Sequence, residues 1–151
     1  MEIRKIDSDK KRFLPLLLLG DEQESMIDRY LESSDMFAMF DRRNAPIAIA
    51  VVSKKAHGQY ELMNLAVAPC HQRKGHGSQM IEFICNRYKD SASELLVGTG
   101  ENPDTLEFYR KNKFSYAFTR HNFFTDNYDH PIIENGRTLT DMLVLRRSLR
   151  Q

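Results

Sequence analysis

Between Tyr60 and Gly98 the chain passes from a β-type segment, through a glycine-punctuated turn, into an amphipathic helix and out into a second short apolar run. Met80, Ile81, Ile84, Cys85 and Tyr88 recur at helical spacing after Gly77, and Leu95 to Gly98 reads as a strand. Strand, helix and strand in that order form a crossover, which returns the second strand parallel to the first. The chain is therefore expected to build a sheet with at least one parallel pair and a helix packed across it.

The flanking segments extend that sheet. Glu2 to Ile6 alternates like an edge strand, and Met36–Phe40 with Ile47–Val52 reads as a hairpin across a polar turn. A second hairpin joins Ile47–Val52 to Tyr60–Val67 across His57-Gly58. Asp9 is expected to cap a helix from Phe13 to Leu19 that Gly20 stops, and Glu22 to Glu32 is expected to form a second, with Met26, Ile27, Tyr30 and Leu31 on one face. A helix over Pro103–Lys111 precedes β-rich Phe114–Phe123, and Met142–Leu149 is a final strand. Phe124 to Asp141, with Asp126-Asn127, His130-Pro131 and Asn135-Gly136, is a long polar connection of the kind that often serves as a lid or binding loop.

With 151 residues the chain suits one domain, residues 1–151, with its own core. Twenty-two basic residues nearly cancel twenty-one acidic ones, so no global field gathers nucleic acid or an anionic membrane, and any anion site is local. No window approaches the roughly 20 apolar residues of a membrane span, and the start lacks a signal-peptide pattern. Cys70 and Cys85 suggest neither a disulfide framework nor a zinc site, and the five histidines show no ligand spacing. No metal is expected, and a reducing cytoplasm is the simplest home.

The turn from Asn64 to Ser78 carries the chemistry. A strand ending into a helix start aims free backbone N–H groups at one point, and the positive end of the helix dipole favours an anion there. Gly75 and Gly77 lack Cβ atoms that would hold a pyrophosphate off the backbone, and Arg73 and Lys74 add positive charge, while His76 is expected to point outward. The third glycine of a dinucleotide fingerprint and the Gly-Lys-Ser/Thr ending of a P-loop are both missing. On residues alone, an ordinary glycine-containing turn remains an alternative.

The pattern Gln72-x-x-Gly75-x-Gly77, with Val67 five positions upstream and Pro69 between, closely resembles the coenzyme A-binding motif of the GNAT superfamily of N-acetyltransferases. The likeness extends to the order of elements, to Asn102 opening the next helix and to Tyr109 followed by Phe114. It implies an α/β (α+β) fold with a mixed, mostly antiparallel sheet of six to seven strands, a splayed parallel pair and about four helices. It further implies that Leu65, Ala66 and Val67 hold the pantetheine arm, that Gln72, Arg73, Lys74, Gly75, His76, Gly77 and Ser78 wrap the pyrophosphate, and that Asn102 reaches the pantetheine. Glu61 stands where some members place a glutamate base, and Tyr109 where a tyrosine protonates the thiolate; a solvated strand carboxylate and a packed aromatic are the plainer readings. One departure is Lys113, where the family usually has glycine, so Asn112 is expected to take the left-handed turn. Asn64, on strand alternation, shares a face with Leu62 and Ala66 and either orients substrate or makes a structural hydrogen bond.

The resemblance implies transfer of acetyl from acetyl-CoA, as co-substrate, directly to a primary amine of a small molecule. The alternatives are acetylation of a protein lysine or N-terminus and a non-catalytic acetyl-CoA-binding module. Glu22, Glu24, Asp126, Asp129 and Glu134 lie in segments that would suit a polyamine- or aminoglycoside-like acceptor if they bordered its cleft, or are simply solvated. Nothing beside Cys70 equips it as a nucleophile. Relatives often form homodimers through late strands such as Met142–Leu149.

Overall fold

A computed structural model describes residues 1–150. In chain order its elements are β1 (Glu2–Ile6), α1 (Leu14–Gly20), α2 (Glu24–Asp28), β2 (Asp35–Phe40), β3 (Pro46–Ala56), β4 (Gln59–Val67) and α3 (His76–Tyr88). There follow β5 (Glu94–Thr99), α4 (Pro103–Lys111), β6 (Ser115–Arg120), α5 (Phe123–Asn127), β7 (Ile133–Glu134), β8 (Arg137–Thr138) and β9 (Met142–Ser148). One sheet of seven strands runs β1-β2-β3-β4-β5-β9-β6, and β7 pairs with β8 alone. Only β4 and β5 are parallel within it, joined by α3 as the crossover requires.

Strand alternation sorts the central strands onto two cores. Phe37, Met39, Ala48 and Ala50 pack with Met80, Ile81 and Ile84 of α3, while Met36, Ala38, Ile49 and Val51 pack with Leu17 of α1, Ile27 of α2 and Leu31 just beyond it. Both faces of β2 and β3 are thus covered, which is why they read as unbroken apolar runs.

The N-terminal helices are shorter than the sequence suggests. Asp9 sits at φ 52 with no side-chain cap, a 3-10 turn over Lys10–Phe13 intervenes, and α1 starts at Leu14, where Pro15 fits a first turn that needs no N–H. Gly20 is helical. A Cβ there would overlap the Asn64 amide, so this glycine makes room for Asn64 instead of ending the helix. The expected helix to Glu32 stops at Asp28. Lys10 Nζ donates to Leu31 O at 3.1 Å and Ser34 O at 2.6 Å, and Ser34 Oγ donates to Tyr30 O at 2.6 Å, so side chains take up carbonyls of the turns that follow.

The end of α4 is a Schellman turn: Phe114 N–H donates to Tyr109 O and Lys113 N–H to Arg110 O, both at 3.0 Å, with the Tyr109 and Phe114 rings 5.4 Å apart. The left-handed residue is Lys113 at φ 70 and not Asn112, whose side chain instead donates to Phe108 O. A left-handed lysine costs about 1 kcal/mol relative to glycine. Lys113→Gly is accordingly expected to stabilise the fold by roughly that amount in urea unfolding, and a neutral or destabilising result would show that the turn carries no such strain.

The Phe114–Phe123 run is shared between β6 and the start of α5, and the long connection holds α5 and a β7–β8 hairpin turned by Asn135-Gly136, both at positive φ. Five helices stand where about four were expected. Strand β9 lies between β5 and β6 with both edges paired, so it is no free dimer edge; β6 is the outer strand, with Tyr116 and Phe118 exposed.

Candidate active site

Pairing of β4 with β5 covers only Gln59–Leu62 against Glu94–Val97, after which the strands part. On its other edge β4 stays bonded to β3, with Ala68 N–H donating to Ile47 O at 2.8 Å. Because successive residues point their N–H and C=O to opposite edges, Leu65 and Val67 present theirs to the gap. Val67 O accepts Gln72 Nε2 at 3.0 Å, which ties the following turn to the strand end. The gap opens into a cavity of roughly 560 Å³ lined by Leu65 and Val67, by Gly75, Gly77 and Ser78, and by Tyr109.

The turn between β4 and α3 is built for an anion. Arg73 at φ 62 and Gly75 at φ 86 reverse the chain twice, so that α3 begins at His76 with its first-turn N–H groups lacking carbonyl partners within the helix. Nothing lies within 4 Å of a Cβ built on Gly75. One built on Gly77 would stand 3.1 Å from the Phe108 ring, so this glycine lets α3 and α4 approach across the cavity. Contrary to expectation, His76 does not point outward. Its ring folds back and is buried, with Nδ1 3.0 Å from Gln79 Oε1 and the His71 ring 6.1 Å away, because a first-turn side chain leans toward the helix start.

Helix α4 forms the opposite wall. Asp104 and Thr105 stand one turn before Phe108 and Tyr109, and all four line the cavity. Burial alone pushes the Tyr109 phenol above its ordinary range, so it stays protonated at physiological pH. Three expected contacts fall elsewhere. Ala66 turns its side chain into the N-terminal core, Lys74 lies outside the lining, and the Asn102 amide is occupied as the α4 cap, accepting from Asp104 N–H at 3.1 Å and donating to Glu134 at 3.1 Å.

A second cavity, of roughly 340 Å³, lies on the far side of β4 and reaches Gly98, the β5 residue just past the last pair. Glu61 lines it, 2% exposed, with Oε1 and Oε2 accepting from Arg120 at 2.7 and 3.0 Å. Both carboxylate oxygens are thereby occupied by one guanidinium. Asp21 lines the same cavity, accepting from Tyr30 OH at 3.0 Å and Tyr128 OH at 2.7 Å. Asn64 enters neither cavity: it donates to Leu17 O at 2.9 Å and Tyr30 OH at 3.2 Å. A bulge opposite Val51/Val52 breaks the alternation, so Asn64 shares a face with Ala66 but not with Leu62.

The acetyltransferase (GNAT) domain family matches residues 32–116. This chain belongs to the GNAT acetyltransferase family. The uncharacterized N-acetyltransferase YvbK of Bacillus subtilis (strain 168) is 32% identical over 132 residues, 86% of this chain and 84% of that relative. A GNAT family acetyltransferase from Elizabethkingia anophelis, solved with acetyl-CoA bound, is 32% identical with a TM-score of 0.92 over 97% of both chains. A Bacillus subtilis acetyltransferase solved in complex with CoA is 29% identical, with a TM-score of 0.87 and the same 97% coverage of each. The GNAT fold thus accounts for the mixed sheet and its parting parallel pair.

Several cavity residues of this GNAT enzyme were not singled out from sequence. Thr105, four positions before Tyr109, was recoverable from helical spacing, and Asp104 stands in the same relation to Phe108. Asp21, Tyr30, Tyr128 and Arg120 come from four separate segments and share no local pattern. Of the five acidic residues considered for the acceptor cleft, none lines the second cavity; Glu24, for example, binds Lys11 at 2.5 Å. Cys70 is exposed and lines neither cavity, and among the described residues no helix is long and apolar enough to cross a membrane.

Proposed function

We propose that this GNAT enzyme transfers acetyl from acetyl-CoA directly to the primary amine of a small molecule. The observation that carries the reading is the edge of β4 at Leu65 and Val67, without a β5 partner and with Val67 O tied to Gln72, facing a cavity that ends at the open first turn of α3. These features suit an extended amide-containing arm followed by a pyrophosphate: strand backbone pairs with the arm's amides, and Gly75, Gly77 and Ser78 N–H groups meet the phosphates at a helix start. Acetyl-CoA supplies an activated thioester when bound.

In this reading Val67 N–H polarises the acetyl carbonyl and the Tyr109 phenol donates to the departing sulfur. Arg73 and Lys74, both exposed, contribute charge from the rim. Glu61 is not given the base role, because Arg120 already holds both of its oxygens. Support for a small acceptor comes from contacts that bridge the second cavity. Tyr128 reaches Asp21 across the cavity, and beside it, outside the lining, His130 Nε2 lies 3.0 Å from Glu22, so the late connection is tied to the α1–α2 segment.

Calorimetry with acetyl-CoA, followed by thiol release across small primary amines and lysine peptides, tests this function; turnover of peptides alone would overturn the small-acceptor reading. Tyr109→Phe is expected to lower kcat by about 100-fold while acetyl-CoA affinity stays within about twofold. Unchanged turnover would remove Tyr109 from the donor role.

A further inference from the structure

The second cavity holds a carboxylate that the fold leaves uncompensated. Asp21 is half-buried at the end of α1, and among the described residues no Lys, Arg or His nitrogen lies within ion-pair distance of it. Its two oxygens are instead fixed by the phenols of Tyr30 and Tyr128. Removing a carboxylate from water without a counter-ion is unfavourable, and a cationic ligand would relieve that cost. Burial accordingly raises the Asp21 pKa, with neighbouring Glu22 adding to the rise and the two phenols and the Gln23 backbone opposing it.

Position gives the carboxylate a task. The Cβ direction of Gly20, the preceding residue, comes within 3.3 Å of Leu65 O, on the stretch of β4 that faces the gap. The α1 terminus therefore abuts the strand where the thioester would lie. Around Asp21 the cavity wall is apolar and aromatic, with Met26, Met63, Phe123, Phe124 and Met142. The remaining charges are the closed Glu61–Arg120 pair and, at the exposed rim, Arg29 and Lys55. A single ammonium on an apolar body matches an anion among aromatic rings, whereas a polycation would meet the two rim cations.

We propose that Asp21 is the acceptor-binding carboxylate and proton acceptor of this enzyme, and that its acceptor is a primary monoamine with an apolar body. The inference rests on the acetyl-transfer reading above. In the step assigned to Asp21, one proton passes from the ammonium nitrogen to a carboxylate oxygen, leaving a neutral amine and a neutral carboxyl group. The amine nitrogen then bonds to the acetyl carbon as the carbon–sulfur bond breaks, the Tyr109 phenol gives its proton to the sulfur, and the second N–H proton restores the phenol, leaving the amide and the free thiol. Tyr30 and Tyr128 hold Asp21 in place from α2's flank and the late connection, and the Glu61–Arg120 pair keeps its own charges balanced.

The sign of the pH dependence follows. Ionised Asp21 is the competent form, so kcat/KM for the amine falls as pH drops into its raised range. Wild type, Asp21→Asn and Glu61→Gln are to be compared with 2-phenylethylamine and spermidine as acceptors, following thiol release across pH 5–9, with acetyl-CoA calorimetry on each protein as the check of folding. Binding of 2-phenylethylamine to the CoA-loaded proteins gives a readout independent of turnover. The expected result is that Asp21→Asn weakens amine binding about 10- to 100-fold, abolishes the acid limb and leaves acetyl-CoA affinity unchanged, while Glu61→Gln keeps the limb. Wild type should also prefer 2-phenylethylamine to spermidine. An acid limb retained in Asp21→Asn but lost in Glu61→Gln, or preference for spermidine, would overturn the proposal and leave the acetyl-transfer reading standing. Acetyl-CoA binding without thiol release to either amine, or to any small amine, would overturn both.

Discussion

Glutamate at position 77 is expected to weaken acetyl-CoA binding by more than about 100-fold in a protein that still folds. Gly77 lies in the first turn of α3, where N–H groups without helical partners line the larger cavity. A carboxylate roughly 5 Å from a pyrophosphate charge, at an effective dielectric constant near 20, costs on the order of 3 kcal/mol, and it would also occupy the space between α3 and α4. Gly77→Ala separates the two effects. Its Cβ meets the Phe108 ring at 3.1 Å, close enough to require a small ring shift but bearing no charge, so a much smaller loss is expected. Calorimetry measures both, with circular dichroism confirming the helix. If Gly77→Glu binds within about threefold of wild type, the turn is not the pyrophosphate site and the cofactor reading fails at its centre.

The strand end, turn and helix start that line the larger cavity were legible because they are contiguous. The run from Leu65 to Ser78 is one strand end, one turn and one helix start, with Gly75 at positive φ and Gly77 leaving room for the Phe108 ring. The core strands were legible for a similar reason: β2 and β3 are covered on both faces, so their apolar runs are unbroken. Reading failed where side chains from distant segments replace local rules. Lys10 and Ser34 bond carbonyls around the end of the second helical segment, and Pro15 delays the first helix past Asp9. The bulge in β4 reversed the phase assumed for Asn64. Glu61 shows the same limit at the site itself, since its spacing to Val67 said nothing of Arg120, 59 residues away on β6.

Arg120→Met should produce the largest stability change of the substitutions considered. The Glu61 side chain is 3% exposed and its partner 31%, so removing the guanidinium strands a buried carboxylate while leaving an aliphatic chain of similar length. Breaking a fully buried pair typically costs about 3–5 kcal/mol, and the partial exposure of Arg120 brings the expectation to about 2–4 kcal/mol at neutral pH. An unpartnered buried carboxylate in the variant binds its proton more tightly folded than unfolded. Stability is then lost as pH rises, and the deficit relative to wild type shrinks as pH falls toward the ordinary carboxylate range, about 4–5. Adding Glu61→Gln removes the stranded charge, so the double variant should recover much of the loss, and urea unfolding of all four proteins at two pH values measures the coupling. A deficit below about 0.5 kcal/mol would mean that water already solvates Glu61 in the cavity. It would then be free to take a proton from the acceptor, and the role assigned to Asp21 would have a competitor. A large, pH-dependent deficit instead makes the pair a fixed wall of the acceptor cavity and leaves Asp21 as its uncompensated carboxylate.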